Sequence, residues 1–229
     1  MAPSQLHAAA KLHALDDTPE GSLARADTGT CELCKRQASK SQMTRHIASC
    51  AASHEALGQP RSLMQLRIEG AADPRYWLFV EARSEATLQQ FDALLRRVWL
   101  ECCGHMSAFR MGQHESAMRC KIGVALGRRG GRFTYEYDFG STTTLRGQVL
   151  SSRQGSLGRT GVRLLARNDP LQWSCEACSR PATIVCPFCI DTGPSMFCAK
   201  HAQQHPCAEE GAYLPVVNSP RMGVCAYGT

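Results

Sequence analysis

The chain has 229 residues, 43% of them hydrophobic, a formal net charge of +6 and 13 cysteines. That length holds one ordinary domain plus small modules, and no apolar run approaches the roughly 20 residues that span a bilayer as a helix. The start lacks an apolar stretch behind a basic segment, so no secretory leader is read, the expected location is cytoplasmic, and cysteines in a reducing compartment argue for metal rather than disulfides.

Residues 1–29 are small and polar, are broken by Pro19 and Gly21, and read as a disordered arm. Residues 30–52 then carry Cys31 and Cys34, and further on His46 and Cys50. The close cysteine pair suits a tight turn that aims two thiolates at one ion. His46 and Cys50 are one helical turn apart and face the same way. Together they make a four-ligand zinc site of the CCHC type. The spacing resembles a ββα zinc finger, with Met43 at the apolar position before the histidine. It departs from that pattern where an aromatic is usual, because Ala38 stands there. A core this small implies that metal supplies most of its folding free energy, on the order of 10 kcal/mol. The finger resemblance would aim Ser39, Gln42 and Arg45 at bases and Lys35, Arg36 and Lys40 at phosphate, although one finger covers only about three base pairs.

After a short linker, residues 61–168 read as an α+β domain, a mostly antiparallel sheet with a packed helix. "SLMQLRIEG" and "RYWLFVEA" are strands joined by a turn at 71–74. Ser84 is a candidate cap for a helix whose apolar stripe is Leu88, Phe91, Leu94, Leu95 and Val98, ending at Gly104. "HMSAFRM" is a third strand. "RFTYEYDF" alternates, with Phe133, Tyr135, Tyr137 and Phe139 on one face, and two more strands follow. Most of the surplus basic residues fall in this middle part, which permits an anionic partner without requiring one. Cys102, Cys103, Cys120 and Cys225 lie outside the cysteine clusters and read as small core hydrophobes.

Residues 172–210 are the densest in ligands: Cys175, Cys178, Cys186, Cys189, Cys198, His201, His205 and Cys207. Eight ligands serve two tetrahedral zincs. Their rhythm suggests interleaving, with Cys175, Cys178, Cys198 and His201 on one ion and Cys186, Cys189, His205 and Cys207 on the other. With every position taken by protein, neither site keeps the open position that a catalytic zinc needs. The arrangement resembles the cross-braced MYND and B-box modules, which implies protein binding. The apolar tail, 211–229, is expected to dock rather than hang free.

Taken together, "LRIEGAADPRYWLFVEARSEATLQQFDALLRRVW", "HMSAFRM" and "YEYDFGS" resemble the plasmid pRiA4b ORF-3-like family. Its His-x-x-x-Phe and Tyr-Asp-Phe-Gly elements fall on His105, Phe109, Tyr137, Asp138, Phe139 and Gly140. Its long bacterial members carry a similar N-terminal finger, a cysteine-rich segment and an ending like "LPVVNSPRMGVCAY". Ser141, Thr143 and Leu145 replace an acidic residue, a tryptophan and a histidine found in short members. The resemblance implies association with plasmids or mobile elements and no particular activity. The reading is therefore a zinc-binding adaptor or interaction protein with a protein partner. A nucleic-acid binder using the finger and basic core is the alternative. An enzyme with a polar site at His105, Glu136 and Asp138 is the second alternative; Glu136 and Asp138 are expected on one strand face.

Overall fold

The computed structural model describes residues 28–127 and 129–228. The arm expected at 1–29 lies outside the described residues except for Thr28 and Gly29, and these two are not arm but strand. They open β1 (Thr28–Cys31), which pairs antiparallel with β2 (Gln37–Ser39) and leads into α1 (Lys40–Ser53). The core follows as β3 (Arg61–Gly70), β4 (Trp77–Arg83), α2 (Leu88–Leu95), β5 (Ser107–Met111), β6 (His114–Ser116), α3 (Ile122–Ala125), β7 (Arg132–Tyr137), β8 (Thr143–Gly155) and β9 (Val162–Asn168). Then come β10 (Ile184–Val185), β11 (Met196–Phe197), α4 (Ala199–Ala202), a 3-10 turn (Pro206–Glu210) and β12 (Leu214–Pro215).

Nine strands form one sheet in the order β2-β1-β9-β4-β3-β8-β7-β5-β6, every neighbouring pair antiparallel. The fold is thus α+β, a mostly antiparallel sheet with few helices. β4 shows why one strand of such a sheet can be almost continuously apolar. Leu78, Val80 and Ala82 face α2 with Phe91, Leu95 and Trp99 in one core cluster. Trp77 and Phe79 point the other way, into a second cluster with Met43 and Ile47 of α1. A central strand covered on both faces loses the polar alternation of a half-buried one. The expected helix on one side is therefore joined by a second helix on the opposite face.

α2 begins at Leu88 with Thr87 as its cap, in a reciprocal capping box with Gln90. Ser84, the expected cap, instead bonds Ser62 across the sheet. The helix continues as a wider π turn, Arg96–Leu100, and stops well before Gly104. β7 ends at Tyr137 because Asp138 adopts φ 65°. That left-handed turn breaks the alternation and leaves Phe139 48% exposed rather than in line with Tyr135 and Tyr137.

The finger segment is bolted to the sheet. β1 pairs with β9 over Thr30 to Arg167 and its neighbours. At Gly29 a Cβ would overlap the Arg167 carbonyl and the Trp77 indole, so only glycine permits this approach. The last turn of α1 is capped from beneath by arginines of β8 and β9: Arg153 and Arg163 both donate to the Ala51 carbonyl, and Arg163 to that of His54. Both guanidinium groups also grip fully buried Glu81, at 2.8 Å and 2.7 Å.

Candidate metal centres

Among the described residues, four groups of Cys and His side chains each bring four ligand atoms within 4.8 Å of one another. Three are the sets that sequence spacing singles out; the fourth is not. Such groupings could hold metal ions. A tetrahedral zinc with Zn–S of about 2.3 Å and Zn–N of about 2.0–2.1 Å sets ligand-to-ligand edges of about 3.8 Å between sulfurs and about 3.6 Å from sulfur to nitrogen.

The N-terminal group is Cys31, Cys34, His46 and Cys50. Cys31 ends β1, and Lys35 at φ 62° makes the turn that brings Cys34 back beside it. α1 then supplies His46 and Cys50. Cys31 and Cys50 sulfurs are 3.9 Å apart, and Cys34 Sγ is 3.2 Å from His46 Nε2. Burial pushes the Cys50 thiol up to about 12, reinforced by the neighbouring Cys34 and Cys31 thiols. A divalent cation reverses that preference by coordinating the thiolate. Burial also lowers His46, which favours the neutral imidazole that a metal needs. The core behind these ligands is larger than the sequence alone suggests. Ala38 shares a buried cluster with Trp77 and Phe79 of β4, so the sheet brings aromatics to the finger's core.

The six side chains assigned to nucleic acid divide in two. Ser39 caps α1 and Gln42 completes the capping box, so both bond the helix's own backbone. Lys35 pairs with Glu32 at 2.7 Å; Lys40 donates to the Pro74 carbonyl and pairs with Glu69 at 3.1 Å. Arg36 and Arg45 are exposed.

In the C-terminal module the ligands interleave. Cys175, Cys178, Cys198 and His201 form one group and Cys186, Cys189, His205 and Cys207 the other. The contacts include Cys175 Sγ to His201 Nδ1 at 3.3 Å and Cys189 Sγ to Cys207 Sγ at 3.8 Å. β10 of the three-stranded sheet β11-β10-β12 lies in the chain between the two cysteine pairs, Cys175 with Cys178 and Cys186 with Cys189. α4 carries His201 one turn from Cys198. Burial raises the Cys175 thiol, but backbone N–H groups at Cys198 and Ala177 outweigh it and bring the thiol down to about 7. Cys207, without such donors, is pushed up to about 12 by burial and neighbouring thiols.

The fourth group is Cys102, Cys103, His105 and Cys225. Three of these were expected to be core hydrophobes. Instead Cys103 and Cys225 are exposed and Cys102 half-buried: Cys102 and Cys103 follow the end of the helix at Leu100, and Cys225 lies in the turns of the tail. Cys120, the remaining member of that expectation, packs against the main core, as half-buried Cys102 also does. The signal that could have found the group is the Cys-Cys-Gly-His run at 102–105, three ligands in four residues.

The polar site considered at His105, Glu136 and Asp138 is not a free pair of carboxylates. Glu136 pairs with Arg110 at 3.0 Å. Asp138 lies past the end of β7 and accepts from fully buried Arg221 at 2.6 Å. That arginine's hydrogen bond holds the Asp138 carboxyl down at about 2. Arg221 also donates to the Ser141 carbonyl and to Thr143 Oγ1, both at 3.1 Å. Asn218 Oδ1 accepts from Asn168 Nδ2, and Asn218 Nδ2 donates to the Asn168 backbone carbonyl. The tail from Asn218 onward is thereby pinned against β7, β8 and β9.

A cleft of about 760 Å³ lies where the core meets the cysteine-rich module. Asp73, Tyr76, Thr144, Ile190 and Met222 are among its walls. Among the described residues no helix is long and apolar enough to cross a membrane.

No protein-family model matches this chain, and no curated protein matches it significantly. Among solved structures, a protein of unknown function from Methanosarcina mazei Go1 aligns with 14% identity and a TM-score of 0.40, over 46% of this chain and 68% of that one.

Proposed function

We infer that this is a zinc-binding interaction protein of bacterial type, belonging with the pRiA4b ORF-3-like proteins and their plasmid and mobile-element setting. The carrying observation is that three groups of Cys and His supply four protein ligands each. Four protein ligands fill a tetrahedral zinc and leave no position for substrate, which suits a structural ion rather than a catalytic one. One zinc would sit in the N-terminal group and two in the C-terminal module. The cleft between core and module is the place we assign to a polypeptide partner: it joins apolar walls to acidic side chains at a junction of units, where binding sites concentrate. The family reading is supported by the Tyr137–Gly140 element, since its aspartate is the group that receives Arg221 of the ending that long members share.

Elemental analysis of the purified chain tests the metal: at least three zincs per chain are expected, and a zinc-free protein overturns the reading. Affinity capture before and after nuclease treatment tests the partner. The expected result is a nuclease-resistant protein that is lost when exposed Ala72, in the cleft wall, is changed by Ala72→Arg. Capture of nucleic acid alone sinks the interaction reading.

A further inference from the structure

We propose that Cys102, Cys103, His105 and Cys225 are a further zinc site, which locks the C-terminal tail onto the loop after α2. Cys103 Sγ is 3.5 Å from Cys225 Sγ, and Cys225 Sγ is 3.7 Å from His105 Nε2. These match the edges of a zinc tetrahedron, about 3.8 and 3.6 Å. They are far from the roughly 2.05 Å of a disulfide. The site joins residues 122 positions apart.

Both halves are built rather than incidental. On the loop side, Glu101 accepts from the Gly104 N–H at 2.6 Å, while Arg96 holds Glu101 at 2.9 Å and the His105 carbonyl at 2.7 Å. Gly104 at φ 73° reverses the chain between Cys103 and His105. On the tail side, Ser219 donates to the Trp99 carbonyl at 2.6 Å, and buried Arg221 fixes the turn that follows. Cys225 itself sits at φ 56°, a backbone region that non-glycine residues rarely adopt and that concentrates at functional positions.

The surroundings are those of a metal-bound histidine. His105 turns Nε2 toward Cys225 and Nδ1 toward Asp138 Oδ1, at 3.6 Å. At that distance the carboxylate lies beside the non-ligating nitrogen without a direct hydrogen bond to it. Tyr137 packs edge-on against the same ring at 5.8 Å. Three thiolates and one imidazole select a soft or borderline ion, and zinc is the redox-inert choice. With Cys103 and Cys225 exposed, this ion exchanges with solution faster than those held by buried Cys31 and Cys186.

Zinc is counted per chain in the reduced full-length protein. Four are expected in the wild type, three in Cys225→Ser, and four in Cys120→Ser. In parallel, native alkylation with mass mapping is run on the wild type, so the test does not depend on a variant folding. Cys103 and Cys225 are expected to resist alkylation until chelator is added, then to react. Three zincs in the wild type with Cys103 and Cys225 alkylating at once overturns this site and leaves the other three standing. A Cys103–Cys225 disulfide, or equal zinc in wild type and Cys225→Ser, also overturns it. A protein without any zinc overturns the proposed function as well.

Discussion

The two ends of the chain gather cysteines and histidines around different amounts of other material. At the N-terminus, α1 lies on the large sheet and shares a core with Trp77, Phe79, Leu165 and Ala166. The ligands Cys31 and Cys50 are the edge of that core rather than its substance. In the C-terminal module the proportions reverse. One of its two clusters consists of Cys175, Cys186 and Cys198 with only Phe197 and Ala202 buried beside them. Its strands are two residues long. A sheet that small cannot stand without another source of stability. On the proposed reading, an ion would do more for the fold at the C-terminal end, while at the N-terminal end it would finish a fold the sheet already supports.

Chelation should separate the two most sharply. With excess chelator, amide hydrogen exchange across 172–210 is expected to rise toward the unfolded rate, because metal-binding free energy is folding free energy in such modules. α1 should keep most of its protection. Equal loss at both ends would mean that the shared core contributes little. Next in size is Glu81→Ala. It leaves Arg163 without its carboxylate and Arg153 with Glu55 alone, and breaking a buried pair costs about 3–5 kcal/mol. Partial exposure of both arginines places the expected loss near the low end of that range. Urea unfolding measures it, and exchange should rise at the end of α1, whose carbonyls these arginines cap. The C-terminal module should be unaffected; a matching loss there would contradict the separation.

What was legible in the sequence follows from how local each feature is. A cysteine pair around a tight turn, or His46 and Cys50 one helical turn apart, is set by a few residues, so the spacing alone displays the ligands. β3, β4 and the apolar stripe of α2 are equally local. The features that escaped depend on distant partners. Nothing near Gly29 announces its pairing with β9, and nothing near Ala38 says that Trp77 will share its core. Cys225 meets Cys103 only because Arg221 and Ser219 fix the tail first. Two local signals were nonetheless present: Thr87 with Gln90 is a better helix start than Ser84, and the close run of Cys102, Cys103 and His105 marks ligands rather than core.

The smallest effect tests whether α1 reads nucleic acid or only belongs to the sheet. Ser39 Oγ accepts from the Gln42 N–H at 3.4 Å, and Gln42 Oε1 accepts from the Ser39 N–H at 3.2 Å. Both bonds are long, so Ser39→Ala should cost no more than about 1 kcal/mol, the usual size of a lost cap. A base-reading role makes a different demand. The same substitution would then change affinity for nucleic acid while leaving the melting curve nearly alone. Exposed Arg36 and Arg45 are the fitting contrast, since neutralising a phosphate contact flattens the salt dependence of binding without touching a cap. A small drop in stability for Ser39→Ala with no change in nucleic-acid binding places the residue with the fold. The reverse pattern would make this helix the working surface of the N-terminal end and undo its reading as a helix held in place by the sheet.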